Sequence, residues 1–150
     1  MRTAALIIGA VLTATQAAGQ TTTYGGYAFT DCGPTNKPAV RVVLMQGPVP
    51  AGIPATRPRP SIELLVNGSV AQAVADLSVN AEAAKSGTGV AALSCPVVGA
   101  CTTAQAGSVK MSRAADGATL SGEFQATWPN GMPRNGRFTA SWREGGKTCQ

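Results

Sequence analysis

Apolar and polar residues alternate along the last third of the chain. From Ala118 to Trp128 every second residue is apolar or glycine, and the residues between them are polar or charged. This two-residue period is typical of a half-buried β-strand. The segments Gly107–Arg113 and Arg137–Arg143 repeat it, and the connections Ala114–Gly117 and Pro129–Gly136 carry Asp-Gly and Asn-Gly turn pairs. The pattern predicts a C-terminal three-stranded antiparallel meander. Its large inward side chains are expected to be Phe124, Trp128, Phe138 and Trp142.

The first half of the chain shows the same pattern in shorter segments. Strands are predicted at Tyr24–Asp31, Ala39–Gln46, Ser61–Asn67 and Val90–Cys95. The stretch Val70–Val79 fits either a strand or one short helical turn. Gly47–Pro60 contains five prolines, which lack the backbone donor that a central strand needs, so this segment is expected to be an extended loop.

Six to eight short strands separated by Gly, Pro and Asn turns define the expected fold class. They predict one all-β domain over residues 20–150, either an antiparallel β-sandwich or a small barrel-like fold. No Trp lies between Cys32 and Cys95, so the spacing is not that of an immunoglobulin domain.

The N-terminal residues resemble a secretory signal peptide. Arg2 precedes the uncharged apolar run Ala4–Ala14, and the small residues Ala17–Gly19 suit cleavage before Gln20. The run is too short to span a bilayer, and no second apolar run of that kind follows. Residues 1–19 are therefore predicted to be removed on export, the alternative being an uncleaved N-terminal anchor or a buried helix. The protein is then secreted or periplasmic, with no stable membrane span.

All four cysteines lie after the predicted signal peptide. An even number in an exported chain suggests two disulfides, for which three pairings exist. Cys95 and Cys101 flank a short loop, which favours Cys95–Cys101 and leaves Cys32–Cys149. A zinc site is the alternative, but the chain has no CxxC motif and no histidine, so neither a metal nor a cofactor is expected.

Composition restricts the function classes. The chain has 12 basic and 7 acidic residues, and the basic ones are scattered, unlike the clustered charge of a nucleic-acid-binding surface. The absence of histidine excludes Ser-His-Asp and Cys-His catalysis and the HExxH zinc motif. Glu63 and Glu123 are expected to be solvated on outward strand faces, although two such carboxylates facing each other would suit a glycosidase. The expectation is a protein without enzymatic activity.

Two loops are candidate binding features. The proline-rich segment carries Arg57 and Arg59 and is pre-extended, although a stiff surface connection is the more common role of such a loop. The loop between Cys95 and Cys101 carries Val97 and Val98, which are expected to pack inward because valine is usually buried.

These features predict an exported, non-enzymatic binding or accessory module whose partner is an unidentified protein or envelope component. A protease-inhibitor-like protein that presents the Cys95–Cys101 loop is the first alternative. A carbohydrate-active β protein that uses Glu63 and Glu123 is the second.

Overall fold

The structure is a computed structural model that describes residues 21–68, 77–131 and 133–150. The predicted signal peptide and most of the ambiguous stretch Val70–Val79 lie outside these residues. The strands are β1 (Thr22–Cys32), β2 (Pro38–Met45), β3 (Ser61–Asn67), β4 (Leu77–Asn80), β5 (Val90–Cys95), β6 (Thr102–Thr103), β7 (Ala106–Arg113), β8 (Thr119–Thr127) and β9 (Pro133–Trp142), with one short helix, α1 (Ala83–Ser86), between β4 and β5. The described end of the ambiguous stretch is thus a strand.

The strands form one sheet that closes on itself. Their order is β3-β2-β1-β9-β8-β7-β4-β5, and β3 pairs with β5 to complete an eight-stranded barrel to which β6 is added as an extra strand. The prediction of an all-β, barrel-like domain is confirmed. The barrel is mixed, because β1–β9 and β4–β5 pair in parallel while the other pairs are antiparallel.

The C-terminal meander is confirmed, with one change at its second turn. Strands β7, β8 and β9 pair antiparallel in sequence. The β7–β8 turn contains Gly117 at a φ of 71°, as an Asp-Gly turn requires. The second connection is shorter than predicted, because Asn135 and Gly136 belong to β9. A Cβ on Gly136 would lie 2.5 Å from Phe124 Cε1, so here glycine makes room for an aromatic ring rather than for a turn.

The barrel interior is the main core and is filled by alternate residues of the strands. Of the four predicted anchors, Phe124, Trp128 and Phe138 are buried, and Trp142 is half-buried at the edge of the same cluster. The indole Nε1 of Trp128 donates a hydrogen bond to the Thr102 carbonyl oxygen at 2.9 Å, so its polar atom is satisfied.

The barrel is also covered on part of its outer face. The proline-rich segment lies over β1 and β2, where its Val49 and Ile53 pack against a second apolar cluster. That cluster comprises Tyr27, Phe29, Val43 and Met45. Helix α1 covers a third cluster nearby, in which Ala83 packs against Leu65. Outward-facing residues of β1, β2 and β3 are therefore buried as well.

Both expected disulfides are present. Cys32 pairs with Cys149 across a sequence separation of 117 residues, and Cys95 pairs with Cys101 across 6. The bridges are consistent with an oxidising location. In the described ranges, no helix is long and apolar enough to cross a membrane.

Candidate functional site

The exposed large apolar side chains of the described residues lie on the short disulfide loop. We call residues 95–101 the clamped loop, because the Cys95–Cys101 bridge joins its two ends. Val97 is 67% exposed and Val98 is 84% exposed. The expectation that these valines pack inward is therefore wrong. With five residues between the bridged cysteines, the loop turns back too tightly for both side chains to reach the core.

A guanidinium holds the clamped loop in place. Nη1 of Arg59 donates a hydrogen bond of 2.6 Å to the Gly99 carbonyl oxygen and a longer one of 3.4 Å to that of Pro96. Nη2 lies 3.8 Å from Cys101 Sγ. The structure thus brings together three of the four residues that the sequence proposed for binding, namely Arg59, Val97 and Val98.

Arg57, the fourth of these residues, has a different environment. Its Nη1 lies 3.0 Å from Glu63 Oε2, and its Nη2 lies 4.0 Å from Asp31 Oδ2. Glu63 is 2% exposed, so its expected position in solvent is wrong. It does face outward from the barrel, but the proline-rich segment covers that face.

Arg41 is the centre of this buried charge cluster. Its Nε donates to Asp31 Oδ2 at 2.5 Å, and its Nη1 donates to Glu63 Oε2 at 2.8 Å. Strand register explains the contacts, because Arg41 pairs with Phe29 on β1 and with Leu65 on β3. Asp31 lies two residues after Phe29, and Glu63 lies two residues before Leu65, so both acids are on the same face as Arg41.

Two pKa values in this region are perturbed. Burial alone would raise the pKa of Asp31. Hydrogen bonds from Arg41 and from the Cys32 amide, together with the charges of Arg41 and Lys147, outweigh burial and lower it from its ordinary value. Burial raises the pKa of Tyr27, and the nearby Glu63 carboxylate adds to the effect. The charges of the cluster neutralise one another beneath the proline-rich segment. The cluster therefore has a structural role: it attaches this segment to the outer face of the barrel.

Glu63 also lies beside the short disulfide. The carboxylate and the sulfurs of Cys95 and Cys101 include ligand-type atoms within 4.8 Å of one another. Both sulfurs are oxidised, however, and a disulfide offers no thiolate to a metal ion. In this state the group is not a metal site.

The second carboxylate of the carbohydrate hypothesis is remote from Glu63. Glu123 lies on β8, which is four strands from β3 in either direction around the barrel. It is exposed, and its Oε2 lies 3.8 Å from Arg137 Nε on β9. The two carboxylates therefore do not flank a common groove.

The function of this protein is inferred from its own geometry, because the comparisons with known proteins gave no match. Protein-family models, curated proteins and solved structures were all compared with the chain, and none matches it.

The sequence analysis did not predict the buried charge cluster, although the sequence contains part of the pattern that indicates it. Asp31, Arg41 and Glu63 all lie at outward positions of neighbouring strands, with opposite charges on adjacent strands. Alternation identifies the face on which such residues lie. It does not reveal which loop covers that face.

Proposed function

We propose that this protein is an exported, non-enzymatic binding module that engages a partner protein through the clamped loop. The observation that carries the proposal is the exposure of Val97 and Val98 on a loop that is fixed from two sides. The partner is a protein with an apolar pocket that accepts both valine side chains.

Burial of the two valines is the driving force for the interaction. Complete burial of one such side chain contributes about 1.5–3 kcal/mol. Each 1.4 kcal/mol corresponds to about tenfold in affinity. Val97 and Val98 are adjacent, so one pocket can receive both.

Restraint of the loop adds to affinity by reducing the conformational entropy lost on binding. The disulfide fixes the ends of the clamped loop, and Arg59 fixes the carbonyl of Gly99 between them. The loop is thereby held in one conformation before a partner arrives.

Export and the absence of enzymatic activity are parts of the same proposal. The signal-like residues 1–19 and the two disulfides support export. The separation of Glu63 from Glu123 and the lack of histidine favour a role in binding rather than in catalysis.

The experiment compares capture of envelope proteins by the oxidised wild-type domain and by the double variant Val97→Ser/Val98→Ser. We expect the double variant to lose at least about tenfold in affinity for the captured partner, because its loop no longer buries apolar surface. The control is Ala115→Ser, which changes an exposed residue of the β7–β8 turn.

Equal melting temperatures would show that all three proteins are folded. A partner that binds the wild type and the control but not the double variant would support the proposal. Partners that bind all three proteins equally, or the absence of any partner, would overturn it.

Protease inhibition is a second candidate, favoured by the restrained backbone of the clamped loop. A rigid loop with an aliphatic tip is complementary to the active-site cleft of a protease with a small apolar specificity pocket, such as an elastase-type enzyme. Dose-dependent inhibition by the wild type, lost in Val97→Ser/Val98→Ser, is expected. If the loop is cleaved at the rate of an unfolded peptide, this candidate fails.

A further inference from the structure

One end of the barrel contains a cavity beside the clamped loop, which borders it through Cys95, Pro96 and Val97 but not through Val98. It measures about 400 Å³ and lies where β1, β3 and β9 begin and β2 and β5 end. This volume lies within the range typical of small-molecule sites. Apolar side chains of the barrel interior, Leu44 and Ile62, border it.

The rim of the cavity carries one cation. Arg134, at the start of β9, borders the cavity, and it is the only charged residue of the described ranges that does. Its Nη1 lies 3.4 Å from Ser94 Oγ, which also borders the cavity, and its guanidinium carbon lies 5.7 Å from the Trp128 ring centroid. Within the described part of the chain, no carboxylate lies within ion-pair distance of Arg134.

Arg134 differs in this respect from the other arginine of β9. Arg137 lies on the outer face and faces Glu123 at 3.8 Å. Arg134 lies on the face that lines the barrel interior, alternate with Gly136 and Phe138. It is therefore placed to pair with an anion that enters the barrel mouth.

We propose that this cavity binds a small amphiphilic carboxylate. The apolar chain of the ligand lies against the accessible side chains of Tyr24 and Val97, over a floor formed by the buried Leu44 and Ile62. Its carboxylate pairs with the guanidinium of Arg134, whose planar donors suit a carboxylate. Ser61 also borders the cavity, and its buried hydroxyl has no hydrogen-bond partner in the described chain. This binding activity goes beyond the proposed docking of the clamped loop.

The experiment measures binding of octanoate at submicellar concentration by calorimetry and by tryptophan fluorescence, since Trp128 lies next to Arg134. Acetate, which lacks the long hydrocarbon chain, tests the contribution of that chain to binding. Octanol, which lacks the carboxylate, tests the contribution of the charge. We expect octanoate to bind more tightly than octanol and acetate to show no binding. Failure of octanoate to bind, or equal binding of octanoate and either control compound, would overturn the proposal.

Two variants test the role of the guanidinium. Arg134→Gln should weaken octanoate binding by about tenfold or more, because it removes a charge-assisted pair. Arg134→Lys, which keeps the charge, should weaken it less. The matched control Arg137→Gln removes the same charge from the outer face and should leave binding within about twofold, because an exposed charge contributes little. Equal losses in Arg134→Gln and Arg137→Gln would show a net-charge effect only and would overturn the proposal.

The cavity and the clamped loop can be separated experimentally. Val98 does not border the cavity, so Val98→Ser should bind octanoate normally even if it loses the partner protein. Arg134→Gln should bind the partner protein normally. If octanoate does not bind, the proposed docking of a partner protein can still be tested, and the reverse also holds.

Discussion

The guanidinium of Arg59 donates a hydrogen bond of 2.6 Å to the carbonyl oxygen of Gly99, 40 residues later in the sequence. Through this contact the proline-rich segment restrains the backbone of the clamped loop. The same segment is attached to the outer face of the barrel by Arg57, which pairs with Glu63. The two arginines connect the barrel wall, the covering segment and the exposed valines.

Removal of the Arg59 side chain should loosen the clamped loop without unfolding the domain. In Arg59→Ala, we expect faster amide hydrogen exchange over residues 96–101 and weaker partner binding. The free energy of unfolding should fall by less than about 1 kcal/mol, because the contact is exposed. Arg59→Lys keeps the charge but not the planar arrangement of donors. Its amide hydrogens over residues 96–101 should therefore exchange at a rate between those of the wild type and Arg59→Ala. Unchanged exchange in Arg59→Ala would show that the disulfide alone restrains the loop.

Arg41→Met should be strongly destabilising. It removes the closest partner of the buried carboxylates of Asp31 and Glu63 and leaves them only the more exposed cations Arg57 and Lys147. Breaking a buried pair in this way costs up to about 3–5 kcal/mol. Urea unfolding measures the loss. The control Arg137→Met breaks an exposed pair with Glu123 and should cost less than about 1 kcal/mol. Similar losses in the two variants would contradict the assignment of Arg41 as the centre of the buried cluster.

The lowered pKa of Asp31 predicts acid sensitivity. The folded state favours the ionised carboxylate, so its contribution to stability is complete above the ordinary aspartate pKa of 3.8 and is lost as the pH falls through the lower folded pKa. Urea midpoints between pH 7 and pH 2 should therefore fall more steeply for the wild type than for Asp31→Asn. The variant should be less stable than the wild type at neutral pH. Parallel curves would assign the acid sensitivity to other groups.

The two disulfides should differ in what their removal changes. In the chain-entropy model, the Cys32–Cys149 bridge contributes about 5 kcal/mol and the Cys95–Cys101 bridge about 2 kcal/mol, because stabilisation grows with loop length. Replacing Cys32 and Cys149 by serine should therefore lower stability more. Replacing Cys95 and Cys101 by serine should lower partner binding more. Denaturation and binding measured on both variants test this, and the reverse order would contradict the proposed role of the clamped loop.

Local patterns in the sequence predicted most of the fold. Alternation located the meander, and loop length favoured the Cys95–Cys101 bridge over the other pairings. Asn135-Gly136 was misassigned to a turn because a dipeptide signal does not show that Phe124 and Tyr24 pack where a side chain would otherwise lie. The parallel pairing of β1 with β9 was also not predicted, because it joins the two ends of the domain.

The candidate site was predicted only in part, for a related reason. The sequence identified Arg59, Val97 and Val98 as residues of interest, but it assigned Arg59 and the valines to separate loops. Glu63 was placed in solvent because alternation describes the two faces of a strand and not what covers them. These contacts depend on the path of the proline-rich segment, which has no periodic pattern.

The parallel pairing of β1 with β9 affects how the protein can be made. During synthesis β1 is among the first strands to emerge, and its partner on one side, residues 133–142, is among the last. The barrel cannot close until almost the whole chain has left the ribosome, because contacts between distant segments form late. Until then only local pairs such as β1 with β2 and β2 with β3 can form, and the apolar interior of the barrel stays open to solvent.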